Sequence, residues 1–192
     1  MILTSENILK RIEEDGLIED YRSINTQLQP GSFDLRVGKV FKSYSELNKN
    51  DPYPVVLGEE VEYGSEIEYE MGTGYPVKPK EFVLATTLET INMPDDLSAV
   101  IQGRSSIGRT GLFVENAGFV DVGFTGEITL EFYNATENTI VVPVGMRVCQ
   151  IVFYEMQESC SEVYEGKYNG QTGATGSKIH EDSEFQEELA KY

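Results

Sequence analysis

Basic residues, histidine and cysteine are all scarce in this chain of 192 residues, and each scarcity closes off a class of function. Fifteen lysines and arginines stand against 33 aspartates and glutamates, a formal net charge of -18 at pH 7. A surface of that sign repels the phosphate backbone that nucleic-acid-binding proteins grip with basic patches. A single nucleotide remains admissible, because one cluster of phosphates needs only a few local cations and backbone donors. The lone histidine, His180, lies in a polar stretch and offers no base for a Ser-His-Asp or Cys-His nucleophile. Neither the H-x-E nor the P-C-x-x-C element of a zinc-dependent deaminase is present, so the chain reads as zinc-free. Its two cysteines, Cys149 and Cys160, form no metal-binding pair and no disulfide framework. No apolar run approaches the ~20 residues that span a bilayer, and MILTSENILK lacks the features of a signal peptide. These absences together predict a cytoplasmic protein without membrane or nucleic-acid partners.

What is present fits one ordinary globular domain, with a hydrophobic content of 40%. Thr4 to Gly16 carries a candidate cap, apolar Ile8, Leu9 and Ile12 at helical spacing, and a glycine stop, which predicts a short N-terminal helix. QPGSFDLRVG then makes a Pro-Gly turn and sets Phe33, Leu35 and Val37 on one face of a strand. Residues 44–80 are rich in Tyr, Glu, Gly and Pro without sustained periodicity, and predict hairpins and long surface loops. From Glu81 onward FVLATTLE, AVIQG, ITLEFYN, IVVPVG and VCQIVFYE are short β-branched runs separated by turn residues, as in a sandwich or barrel. The expectation is one mainly β domain over residues 1–182, in which residues 167–182 form a mobile arm, followed by an acidic tail over residues 183–192.

Three segments could carry chemistry. In GRSSIGRTGL, residues 103–112, the glycines allow close backbone approach, Ser105 and Ser106 offer hydroxyls, and Arg104 and Arg109 offer forked cationic donors. A short helix starting near Ser105 would add free N–H groups. Spacing alone also allows a basic surface turn, but two arginines framing two serines in so acidic a chain fit a triphosphate better. In ENAGFVDVGFTGEITLEFYN, residues 115–134, alternation puts Ile128, Leu130 and Phe132 on one face and Thr129, Glu131 and Tyr133 on the other. By itself Glu131 is a solvated carboxylate on an exposed sheet face. Facing a cleft, it would gain proton affinity by desolvation and could take a proton from water and pass it to a ring nitrogen. Asp121, ten positions earlier, either orders its turn or binds substrate or magnesium. In YEGKYNGQ, Tyr164, Lys167, Tyr168 and Gln171 either close over phosphates as a lid or belong to a disordered C-terminus.

Taken in order, LQPGSFDLRVG, GRSSIGR, AGFVDVGFTGEITLEFYN, PVGMRVCQIVF and KYNGQTGATGSKI resemble the dCTP deaminase family, from the first helix to about Asp182. The middle segments are also similar to the trimeric dUTPases of the same superfamily. The resemblance implies a distorted β-barrel or jelly-roll subunit, a homotrimer with sites between subunits, and Mg2+ bound through the substrate triphosphate. It implies that Glu131 activates the water that attacks the cytosine carbon bearing the amino group. Ser105 and Arg109 would lie near the reacting centre and Arg104 and Ser106 face phosphates, with Ile107 and Gly108 completing that loop. Asp121 would hold the deoxyribose and help orient a second attacking water. Thr129, Leu130 and Gln150 would contact base or sugar, and Tyr164, Lys167 and Gln171 would belong to the closing arm.

Two departures stand out: Val122 replaces the usual proline, and the loop after Val114 is one residue shorter than in the enterobacterial type. The resemblance also bears on product. Gly118 and Phe119 occupy the place of a bulky basic pair in strictly dUTP-forming members, and AGFVD is similar to members that go on to hydrolyse the triphosphate, releasing dUMP and pyrophosphate for dTTP supply. The expected activity is therefore a dUMP-forming, zinc-independent dCTP deaminase. The alternatives are a deaminase that stops at dUTP, a dUTPase, and a non-catalytic nucleotide-binding regulatory trimer. dTTP is a candidate feedback inhibitor.

Overall fold

The computed structural model describes residues 1–43, 55–115, 118–182 and 191, so the acidic tail, apart from residue 191, and residues 44–54 of the loop stretch lie outside the described residues. The chain opens with the expected helix, α1 (Ser5–Asp15), which buries Ile8 and Ile12 against the sheet. Thr4 sits at its N-cap without a side-chain cap bond. Instead the Glu6 carboxyl is held below its usual value by its own backbone N–H and by the Thr4 and Ser5 side chains. Gly16 ends the helix in the left-handed region, at φ 67°, where its N–H meets the Arg11 and Ile12 carbonyls.

The other elements follow as β1 (Ile18–Glu19), α2 (Ile24–Gln27), β2 (Leu28–Gln29), β3 (Ser32–Ser43), β4 (Ile67–Glu68), β5 (Gly74–Val77), β6 (Phe82–Asn92), β7 (Leu97–Gly103), α3 (Ser105–Gly108), β8 (Leu112–Glu115), β9 (Phe119–Val120), β10 (Thr125–Asn134), β11 (Ile140–Pro143) and β12 (Arg147–Glu155). A 3-10 turn, Ile179–Glu181, lies in the arm. The main sheet runs β8-β10-β6-β3-β12-β7-β9 and curls into a half-barrel, with β1 added to β6 and β2 and β4 to β3. Its strand pairs are antiparallel. β11 and β5 form a separate antiparallel pair. The mainly β expectation is met, and among the described residues no helix is long and apolar enough to cross a membrane.

β3 makes the curl possible. Its first residues pair with β12, its last with β6, and the register shifts between Val37 and Phe41. Gly38 sits in that shift, where a Cβ would come within 2.7 Å of the Thr86 methyl and 3.1 Å of the Thr87 carbonyl. Only glycine lets the two strands approach so closely. Phe33, Leu35, Val37 and Phe41 point into the core with Leu130, Phe132, Ile151 and Phe153, all fully buried.

The opposite face of β3 is also buried, which simple alternation did not foretell. Asp34 and Arg36 lie there at 2% and 8% exposure, next to a completely buried Glu89 from β6. Glu89 accepts from the Arg36 side chain at 2.6 Å, the Arg36 backbone N–H at 2.8 Å and the Gln27 amide at 2.8 Å. Asp34 is held by Arg147 at 2.9 Å and Arg104 at 3.4 Å. Burial pushes the Asp34 carboxyl up, and the two arginines oppose it.

Candidate active site

A cavity of about 380 Å³ opens along the polar face of β10. Burial alternates strictly from Gly126 to Asn134, so Leu130 and Phe132 enter the core while Thr129, Glu131 and Tyr133 remain partly exposed. Thr129 and Glu131 line the cavity together. Glu131 is placed by pairing on both sides, opposite Leu84 of β6 and Glu115 of β8. A carboxylate carried mid-strand between two neighbours has little backbone freedom, which suits a group that must stay aligned with a reacting atom.

Beside Glu131, the Thr129 hydroxyl is buried and has no hydrogen-bond partner among the described residues. An unsatisfied buried hydroxyl costs free energy that a bound polar molecule can recover. Gly118, Phe119, Val120 and Asp121 form one rim, with Asp121 exposed and Phe119 60% exposed. The backbone of this rim is fixed to β7, where the Ile101 N–H donates to the Gly118 carbonyl at 2.8 Å.

The C-terminal arm supplies more of the wall. Tyr164, Tyr168, Gln171 and residues 175–177 line the cavity. The stretch expected to be mobile is docked here. The Gly170 N–H donates to the Thr125 carbonyl at 2.7 Å, Gln171 forms a parallel bridge with Gly126, and Ala174 is completely buried. The Tyr164 N–H donates to the Val122 carbonyl at 2.9 Å, and the Ser177 N–H to the Tyr63 hydroxyl at 3.0 Å.

Of the residues singled out from sequence, the fold gathers Gly118, Phe119, Asp121, Thr129, Glu131, Tyr164, Tyr168 and Gln171 around one cavity. Leu130 is a core side chain, fully buried, and does not line the cavity. Residues 104–109 do not line the cavity. The expected short helix does begin at Ser105, but the Ile107 and Gly108 N–H groups are already taken by the Arg104 carbonyl. Ile107 is buried as the anchor of the turn, whereas Ser105, Ser106 and Arg109 are exposed and have no side-chain partner among the described residues. Arg104 turns inward, donating to the Arg147 carbonyl at 3.0 Å and pairing with Asp34. Gln150 sits on β12, where it accepts from Ser32 at 3.2 Å, away from the cavity. Lys167 is paired with Asp182 at 2.5 Å, and that contact pushes its pKa up.

Tyr63, Phe82, Leu84, Ile101, Phe124, Ile128 and residues 175–177 were not foreseen in the cavity wall. Tyr63 comes from the aperiodic stretch between β3 and β5, and its only signal in sequence was the tyrosine density there. Among the described residues no group of three or more His, Cys, Asp or Glu could hold a metal ion.

Comparison with known proteins bears on the same segments. A family model described as dCTP deaminase-like matches residues 2–156. A protein of Sulfurihydrogenibium sp. named "dCTP deaminase, dUMP-forming" is 47% identical over 185 residues, which cover 93% of this chain and 97% of the relative. One of the same name from Aquifex aeolicus is 41% identical over 189 residues, covering 98% and 100%. The crystal structure of 2'-deoxycytidine 5'-triphosphate deaminase from Agrobacterium tumefaciens matches with a TM-score of 0.63 over 81% of this chain and 49% of that one. At 24% identity that match supports the fold alone.

Proposed function

This chain belongs to the dCTP deaminase family, and from that premise we propose that its cavity deaminates dCTP and carries the product on to dUMP. The observation that carries the reading is the pairing of Glu131 with an unpartnered Thr129 hydroxyl inside one cavity. The chain is a hydrolase. One water adds to the ring carbon bearing the amino group while the Glu131 carboxylate accepts its proton and passes it to the adjacent ring nitrogen. Collapse of the adduct breaks the carbon–nitrogen bond as Glu131 takes the proton of the newly added hydroxyl and delivers it to the departing amine, which leaves as ammonia while the ring carbon becomes a carbonyl. A second water attacks the α-phosphorus, and pyrophosphate departs from dUMP.

The surrounding residues have roles consistent with their places. The Thr129 hydroxyl bonds the base, and the Leu130 backbone continues that edge. Asp121, an exposed carboxylate on the rim, holds the deoxyribose and orients the second water. Gly118 and Phe119 leave that water room where a bulky basic pair would fill it. Tyr164 and Gln171 close the cavity and exclude bulk solvent, which strengthens the electrostatic interactions within it. Lys167 joins the nucleotide grip through the arm once substrate is bound, and Gln150, which lies off this cavity, reaches the nucleotide of a neighbouring subunit.

Ser105, Ser106 and Arg109 lie off the cavity with no partner of their own among the described residues, and this supports a homotrimer in which they reach the nucleotide of a neighbouring subunit. Arg104, held by Asp34, Ile107, buried beneath the turn, and Gly108 then set the shape of the phosphate loop. Mg2+ arrives with the triphosphate as part of the substrate. dTTP shares the deoxyribose and triphosphate and competes for the same grip as a feedback ligand.

Product analysis after separate incubation with dCTP, dUTP and dCMP, with magnesium present and then chelated, tests the reading. dCTP with magnesium should give dUMP and pyrophosphate without accumulating dUTP. dUTP as sole product would overturn the second hydrolysis, and absence of dCTP turnover would overturn the whole reading.

A further inference from the structure

We propose that Glu127, backed by Thr86, is the latch that holds the C-terminal arm closed over the cavity, a positioning residue that acts through the arm. The role in turnover rests on reading the cavity as the dCTP site; the latch itself rests on the following contacts.

Glu127 opens the polar face that Thr129 and Glu131 continue, separated from them by the irregularity in the β10–β6 register. Its carboxylate does not line the cavity. One carboxylate oxygen accepts from the Gly173 N–H at 2.7 Å and from the Thr86 hydroxyl at 2.9 Å. The backbone of Glu127 grips the arm as well, its N–H donating to the Gln171 carbonyl at 3.0 Å and its carbonyl accepting from the Gln171 side-chain amide at 2.8 Å. Thr86 is 3% exposed and stands across from Thr129, so the latch is rooted next to the unpartnered hydroxyl of the site.

The neighbouring residue provides an independent sign that this is a built docking point. Gly126 has φ 143°, and a Cβ there would come within 2.7 Å of the Gln171 carbonyl oxygen and 3.0 Å of its nitrogen. The arm backbone therefore enters a niche that only glycine leaves open. Gly166, Gly170, Gly173 and Gly176 make the arm costly to order. A charged acceptor shared by two neutral donors is a strong contact to set against that cost.

A substrate that binds only beneath a closed arm has its apparent affinity reduced by the fraction of molecules that are closed. Loosening the latch should then raise KM and leave the chemical step alone. Glu127→Gln is expected to raise KM for dCTP about tenfold with kcat changed less than about twofold. Trypsin cleavage in the arm, at Lys167 or Lys178, should accelerate by about the same factor without nucleotide. Thr86→Val should act in the same direction and more weakly. Gly126→Ala should reproduce the Glu127→Gln phenotype by sterics, and the double variant should fall short of the product of the two effects, because both act on one docking event. Melting temperatures measured alongside separate a loose arm from a loosened core. Wild-type proteolysis and KM in Glu127→Gln would overturn the latch, and faster cleavage with unchanged KM would overturn its positioning role. If the wild-type chain fails to turn over dCTP, the functional reading falls while the proteolysis still decides whether the latch exists.

Discussion

The buried cluster around Glu89 and the cavity around Glu131 lie on neighbouring strands, and they treat their polar groups in opposite ways. Glu89 is surrounded by donors of its own chain, two from Arg36 and one from Gln27, and Asp34 beside it is held by Arg147 and Arg104. In the cavity the Thr129 hydroxyl is left without a partner among the described residues, and off the cavity Ser105, Ser106 and Arg109 stand exposed without one. A buried charge cannot be left unmatched without a large cost, so the first cluster is saturated and serves the scaffold. A site that must receive a polar molecule keeps open the capacity the scaffold fills. Asp34 joins the buried cluster to the turn at residues 104–109, since the carboxylate that completes the cluster also fixes Arg104 at the start of that turn.

The saturated cluster offers the most severe test of this contrast. Glu89→Gln leaves the Arg36 guanidinium buried without its counter-charge, and should lower stability by about 3–5 kcal/mol. Denaturant midpoints at fixed protein concentration would show it, while KM for dCTP measured on the folded fraction should change little. A Glu89→Gln variant as stable as wild type would erase the distinction between the clusters. On the open side, Thr129→Val removes a hydroxyl that the free protein does not use. Its stability should be unchanged or slightly higher, while KM for dCTP rises about fivefold to tenfold, the worth of one hydrogen bond of ~1 kcal/mol or somewhat more. A loss of stability without a change in KM would place that hydroxyl in the scaffold.

The smallest effect is expected at the surface, where Arg11 of α1 grips Asp96 in a forked contact at 2.6 and 2.8 Å. The hydrogen bond from Arg11 holds the Asp96 carboxyl below the usual range, more than burial raises it. The stabilisation is therefore complete above the ordinary carboxylate pKa of about 4 and is lost as pH falls through the lowered value. Asp96→Asn should flatten that acid limb of the stability curve and cost under ~1 kcal/mol at neutral pH, because water screens a partly exposed pair. A larger cost would mean that exposed and buried pairs are worth the same here.

Much of this architecture is legible in the amino-acid sequence, and the exceptions share a physical cause. The helix ending at Gly16 and the alternation that exposes Glu131 are local signals, set by spacing within a few residues. The second buried face of β3 is hidden in the sequence because its occupants, Asp34 and Arg36, look solvent-exposed until Glu89 of β6, Arg147 of β12 and Arg104 arrive. Tyr63 reaches the cavity from an aperiodic stretch, and its contact with residues 175–177 spans over a hundred positions of chain. Glu127 looks in sequence like any carboxylate on a strand, and gains meaning only when Gly173 docks on it. The turn at residues 104–109 is legible as a motif, but its separation from the Glu131 cavity depends on how β7 and β10 are placed in the sheet.

The proposed chemistry turns on Glu131, and one variant measured two ways tests it. Glu131→Gln keeps the shape of the side chain and removes its ability to accept and return a proton. Deamination of dCTP should fall by about 10³-fold or more, while calorimetric binding of dCTP with magnesium stays within about threefold of wild type, since the phosphate and sugar contacts are untouched. Turnover at the wild-type rate with binding intact would show that another group moves the protons, and the cavity around Glu131 would lose its claim to be the site of chemistry.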